Sequence, residues 1–260
     1  MNPVVRLRRT WSEFLSAIQF FTRIPVPSQP YETDSLSRAV KFFPLAGVVV
    51  GGSAALVHHL LVPHLPRLVC AFLVLVYLAL LTGCLQEDGL ADAADGFGGS
   101  AGRSREKILL ILRDSRIGSY GSVALTLSLL GRILLLSSIP LPLITPYLIT
   151  AHVLCRWTPL PLSYFLPAAR HNVAEGFDGQ GARIAKLTST GTLVVGTLYS
   201  FGIAVYLLRI HAIAPILVAS ALVLFTGLYY KRRIGGITGD CFGATIQLAE
   251  IGAYLCGVWV

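Results

Sequence analysis

Residues 188–230 read TSTGTLVVGTLYSFGIAVYLLRIHAIAPILVASALVLFTGLYY. Two apolar runs of about twenty residues follow each other, and each is long enough to cross the roughly 30 Å hydrocarbon core at 1.5 Å per residue. Only Arg209 and His211 separate them, which leaves room for nothing but a tight connection. The stretch therefore predicts a transmembrane helical hairpin turning near residue 210. The same reading finds spans at about 42–62, 68–86, 117–139, 142–165 and 241–260, beside 188–208 and 211–230. Pro140, Pro142 and Pro146 blur the boundary between the third and fourth. The expected fold is all-α, a polytopic membrane helix bundle of about seven spans forming a single unit over residues 1–260.

Composition agrees. Hydrophobic residues make up 54% of the chain and charged residues 13%, with a mean hydropathy of +0.70; soluble domains average about 25% charged. The net charge of +8 is distributed between apolar runs and not in one block, which argues against nucleic acid as a partner and for a role in membrane orientation. With the N-terminus cytoplasmic, seventeen of the 21 lysines and arginines fall in inside segments; Arg67 and Arg209 fall outside, and Arg132 and Arg156 within spans. This asymmetry sets the expected orientation, N-terminus in and C-terminus out. Of the 13 acidic residues, all but Glu250 lie in the inside segments or at their helix ends. The outer connections carry His58, His59 and His64 with no carboxylate nearby; His171 and His211 have no evident role.

At the N-terminus, Ser12, Glu13, Ser16 and Gln19 interrupt any signal-peptide core, while Trp11, Phe14, Leu15, Ile18 and Phe21 recur at helical spacing. Residues 1–38 are expected to hold an amphipathic helix lying on the bilayer. The five cysteines form no CxxC pair, and four sit in apolar runs, as packing residues do.

The chemistry gathers at residues 82–107, TGCLQEDGLADAADGFGGSAGRSREK. If the second span runs on from Leu68 to Asp95 and stops at Gly96, its length is about 42 Å, and its last turns project from the membrane. Asp88, Asp92 and Asp95 then share one face within about 60°, with Glu87 to the side. Like charges on one stripe at the negative end of a helix dipole need a positive occupant. A hard divalent cation such as Mg²⁺ suits carboxylate oxygens and phosphate together. The bland alternative is a solvated acidic helix end paired with Arg103, Arg105 or Lys107. Ala91, Ala93 and Ala94 between the acids favour close approach of a helix or ligand. In residues 105–121, REKILLILRDSRIGSYG, Arg113 and Arg116 are expected on one face of an interfacial helix, positioned for phosphate; snorkelling is the alternative. In residues 231–244, KRRIGGITGDCFGA, Arg232 and its basic neighbours precede a Gly-rich turn and a helix start that favours anions. Asp240 is read there either as an N-cap or as a metal ligand from a second helix. His152 and Arg156, one turn apart inside the fourth span, either reach the same cavity or form a structural pair. Arg132 is expected to snorkel outward.

Five blocks in order, QFFTRIPVP (19–27), KFFPLAGVVVG (41–51), TGCLQEDGLADAADG (82–96), ILRDSRIGSYG (111–121) and GGITGDCFGA (235–244), make the chain resemble cobalamin synthase, the adenosylcobinamide-GDP ribazoletransferase family, over nearly its whole length. The resemblance implies a multi-pass, Mg²⁺-dependent enzyme of the bacterial inner membrane with its site facing the cytoplasm. Such an enzyme joins adenosylcobinamide-GDP to α-ribazole or its 5′-phosphate and releases GMP. Residues 87–116 would form the catalytic segment. Asp88, Asp92, Asp95 and Glu87 would hold one or two metal ions, with Asp240 or an uncommitted aspartate taking the hydroxyl proton. Arg113, Arg116 and Arg232 would stabilise the leaving phosphate. Many members are expected to carry His where this chain has Gln86, and Gln cannot act as a base. Cation transport, a different prenyl- or CDP-alcohol-type transferase, and a non-catalytic subunit remain alternatives. A homo-oligomer or partners in cobalamin assembly are also left open.

Overall fold

A computed structural model describes residues 3–27, 38–99, 104–169 and 188–260. Arg103, Arg170, His171, Arg183 and Lys186 lie outside them. Among the described residues the architecture is all-helical, with one isolated bridge between Ala168 and Ile237.

The chain begins with α1 (Pro3–Phe21). Of the apolar face read from its spacing, Ile18 and Phe21, with Ala17 beside them, are buried within the protein, while Trp11 is exposed. Glu13 is buried and receives Arg9 at 3.3 Å, Arg38 at 3.2 Å and Lys41 at 2.8 Å. This carboxylate ties α1 to the start of α2 (Phe43–Leu61). There follow α3 (Arg67–Thr82), α4 (Leu85–Phe97), α5 (Arg105–Ile111), α6 (Ser119–Ser138), α7 (Leu141–Trp157) and α8 (Pro159–Phe165). The chain ends with α9 (Thr190–Leu208), α10 (Ile213–Ile234) and α11 (Gly239–Val258).

By length and composition, Val40–Leu61, Ser119–Ser138, Thr190–Ile234 and Gly239–Val258 are able to cross a membrane, and the bent pair α3–α4 brings the number to five. Thr190–Ile234 is 45 residues long, about 67 Å of helix and twice what one crossing takes. It folds back at Arg209, whose φ is +54°. Side-chain contacts prove the fold-back. Gly196 of α9 lies against Leu160, and Gly227 of α10 lies against Leu162 and Leu166. A straight helix would separate those glycines by about 46 Å. The hairpin read from residues 188–230 is therefore present.

Seven long helices thus stand where the sequence places seven spans, although α3 and α7 have only 16 and 17 residues. The segment read as 142–165 is split, because Pro159 and Pro161 end α7 at Trp157 and start the short α8. The core is centred on α11, buried over 67% of its apolar window against 22% for α6. α2 and α7 touch backbone to backbone: a Cβ at Gly51 would come 2.7 Å from the Leu148 carbonyl oxygen, and Gly47 meets the His152 carbonyl likewise. Small residues four apart allow this approach.

Candidate functional site

The largest departure from the sequence reading decides the site. The second span does not run on to Asp95. Gly83 (φ +66°) and Cys84 (φ +59°) are both left-handed, and α4 leaves α3 at 90°. Two successive left-handed residues cannot continue a right-handed helix, and glycine makes the first of them cheap. The break reverses the dipole argument as well. Glu87 and Asp88 fall in the first turn of α4, where the positive helix end favours them.

Turned across the bundle, α4 packs between α11 and α6. The α11 contact is made by two glycines: a Cβ on Gly89 would come 3.0 Å from the Gly243 Cα and 3.1 Å from the Asp240 carbonyl oxygen. That proximity brings Asp240, in the first turn of α11, to the aspartate stripe. Burial first, then the charges of Asp88, Asp240 and Asp95, push the Asp92 carboxyl up to about 6. Among the described residues, the charges acting on it are all carboxylates. Asp240 is not the N-cap, which is Thr238; the Thr238 hydroxyl donates to Asp240 Oδ2 at 3.2 Å.

Asp95 has a defined task. Its Oδ2 accepts the Gly118 N–H at 2.6 Å and its Oδ1 accepts the Gly121 N–H at 2.9 Å. It thereby caps the start of α6 from another helix. Any Cβ on Gly118 or Gly121 would collide with this carboxylate, which explains both glycines of IGSYG. Glu87 turns inward: Arg132 Nη2 donates to its Oε1 at 2.8 Å, and Arg132 Nη1 reaches Glu250 Oε1 at 3.4 Å. Arg132, expected to snorkel, is instead 2% exposed between two carboxylates. Sequence reasoning left Glu250 without a role; a lone carboxylate inside an apolar run was the available signal.

The expected arginine pair also differs. Helix α5 ends at Ile111, and residues 113–114 turn through Arg113 N–H to the Leu110 carbonyl and Asp114 N–H to the Ile111 carbonyl. Arg113 and Arg116 therefore share no helical face. Arg116 is bound to Asp114 through both carboxylate oxygens, at 2.9 and 2.7 Å. Hydrogen bonding from Arg116 holds Asp114 down at about 2. Arg113 and Arg232 are exposed. Arg105 is structural, bridging the Ile234 and Ala169 carbonyls at 2.7 and 2.6 Å.

Of the two readings of Arg156, the structural pair holds. It is buried, donates to His152 Nδ1 at 3.0 Å and the His152 carbonyl at 3.3 Å, and lies over the Phe21 ring. Among the described residues, His152, Cys155 and Glu250 are the one group whose ligand atoms all lie within 4.8 Å. Arg156 already donates to His152 Nδ1 and Cys155 Sγ, and Arg132 to Glu250 Oε1, so two guanidinium cations serve this group. The aspartates are more widely spread, but their donors are all hard oxygens and, among the described residues, the charges acting on Asp92 are all carboxylates, which fits Mg²⁺.

On the face of α4 opposite the aspartates, two open apolar grooves of about 650 and 420 Å³ meet at Ala94, Phe97 and Tyr229. Tyr120 and Leu127 line one of them, and Phe225 and Leu248 the other.

A helical membrane-type bundle carrying four aspartates from two crossing helices is the class that the fold and site define. Residues 13–258 match the family model for cobalamin-5-phosphate synthase, and the chain belongs to that family. Its relatives include proteins named adenosylcobinamide-GDP ribazoletransferase. The Polaromonas protein is 38% identical over 98% of both chains. The Vibrio cholerae protein is 36% identical over 96% of this chain and 94% of its own. The Sinorhizobium medicae protein is 40% identical over 95% and 96%. No solved structure matches.

Proposed function

We propose that this protein joins adenosylcobinamide-GDP to α-ribazole or its 5′-phosphate, releasing GMP, at a Mg²⁺ site built by Asp88, Asp92 and Asp240. The carrying observation is the convergence of α4 and α11 at Gly89 and Gly243, which brings a fourth aspartate, Asp240, to act on Asp92 beside Asp88 and Asp95. Family membership and the relatives' names support the substrates.

In this reading the ribazole hydroxyl oxygen bonds to the phosphorus that carries the cobinamide. The bond from that phosphorus to the bridging oxygen breaks, and GMP departs with the electron pair. Bound Mg²⁺ would neutralise the diphosphate and the charge developing on the leaving group. Asp88 and Asp92 would hold it from α4 and Asp240 from α11. Asp95 holds α6 against α4. An aspartate not fully committed to the metal would accept the hydroxyl proton. Glu87 contributes from behind, keeping the first turn of α4 on Arg132.

We place the N-terminus and α4 on the cytoplasmic side of the inner membrane, with seven spans. The contacts support alternation: the Arg67 guanidinium at the start of α3 bonds the Ile139 carbonyl at the end of α6, while α4 meets the starts of α6 and α11 at the other end.

The test is GMP release by the purified protein in lipid, given adenosylcobinamide-GDP, with and without Mg²⁺ and α-ribazole. Release requiring both supports the reading. Folded protein that releases none overturns it.

A further inference from the structure

We infer that Arg23 is a further substrate-binding residue, receiving the diphosphate of the nucleotide-activated substrate at the mouth of the aspartate site. The inference rests on the function proposed above and adds a residue to it. Arg23 lies two residues past the end of α1, and its N–H is fixed on the Leu81 carbonyl at 2.7 Å. That bond pins it to the last turn of α3, immediately before the break. Its guanidinium lies against Gly83: a Cβ there would come 2.5 Å from Nε, 3.1 Å from Cζ and 3.2 Å from Nη2. Glycine at 83 therefore serves twice, by adopting the left-handed turn and by leaving space for this side chain.

The guanidinium is exposed, and among the described residues it has no carboxylate partner and donates no hydrogen bond. Arg113 and Arg232 are exposed as well, and what sets Arg23 apart from them is its place against Gly83 at the break. Arg116 is neutralised by Asp114, Arg132 by two glutamates, and Arg105 is spent on carbonyls. A snorkelling arginine extends away from the protein toward headgroups; Arg23 folds back over the hinge from which α4 starts. Five residues along the chain from that hinge is Asp88. The Cys84 thiol feels the charges of Glu87, Arg23, Arg132 and Asp88 together, so the acids and the guanidinium lie around the same turn.

Charge supplies the reason for such a residue. A diphosphate approaching four aspartates is repelled unless cations meet it, and a planar guanidinium donates two parallel hydrogen bonds to phosphate oxygens. Held at the hinge, Arg23 is pre-oriented for that purpose.

The experiment compares wild type, Arg23→Gln and Arg23→Lys, each full-length in lipid, by steady-state GMP release. Expected for Arg23→Gln is a rise of about tenfold or more in KM for adenosylcobinamide-GDP. KM for α-ribazole, Mg²⁺ dependence and melting temperature should not change. Lysine, keeping charge without the fork, should restore part of the loss. Unchanged kinetics would overturn the inference, as would an equal loss for both substrates accompanied by a lower melting temperature. Absence of GMP release from wild type would instead overturn the proposed function.

Discussion

Arg132 of α6 lies 2.8 Å from Glu87 of α4, and both are buried. The same guanidinium reaches Glu250 of α11 at 3.4 Å, so one arginine joins the three helices that build the aspartate site. An ion pair of this kind contributes modestly against a hydrophobic replacement, but removing one member strands the others at about 3–5 kcal/mol. Arg132→Leu should lower stability by roughly that amount, read as a fall in melting temperature and in yield of folded protein in detergent. Adding Glu87→Gln and Glu250→Gln should recover much of the loss, since no bare charge remains.

Asp92 lies at the centre of the cluster, acted on by three other carboxylates. Asp92→Asn should abolish GMP release yet leave membrane insertion and melting temperature intact, because it removes a charge that repulsion already disfavours. Normal turnover in this variant would sink the metal assignment.

The raised Asp92 pKa gives a pH dependence of definite sign. Its carboxyl titrates near 6 in the folded chain against 3.8 ordinarily, so the folded state binds the proton more tightly. This group favours folding at low pH, and that contribution is lost as pH rises from about 4 through 6. Mg²⁺ must displace the proton below 6, which weakens binding by up to about tenfold per pH unit. The rise in melting temperature on adding Mg²⁺ should therefore be larger at pH 7.5 than at pH 5. An equal rise at both would exclude Asp92 as a ligand.

Asp95 caps α6 through both oxygens. Asp95→Ala should destabilise by about 1–2 kcal/mol, with Asn intermediate. Hydrogen exchange should localise the effect to residues 118–122, whatever happens to activity.

Gly89 and Gly243 set the distance between the two acid-bearing helices. Gly89→Val should separate α4 from α11, reducing turnover by more than its effect on melting temperature accounts for. Equal effects would mean that the contact is packing alone.

Much of this molecule was legible in the chain. The hairpin at 188–230, the amphipathic α1 and the places of seven long helices follow from apolar length and period, because a chain in lipid must satisfy its backbone internally and helices do so locally. The aspartate stripe and the candidate Asp240 are equally local in sequence. Tertiary structure decided the rest. Gly83–Cys84 reads as two ordinary residues in a long helix until their left-handed backbone turns α4 by 90°. Arg132 reads as a snorkelling cation until Glu87 and Glu250 arrive from 45 and 118 residues away. Asp95 reads like its neighbours until two N–H groups of α6 meet it. Period and composition record what each residue does within its own helix, whereas the partner that neutralises a charge, caps a helix or completes a site comes from elsewhere in the chain, and only packing brings it there.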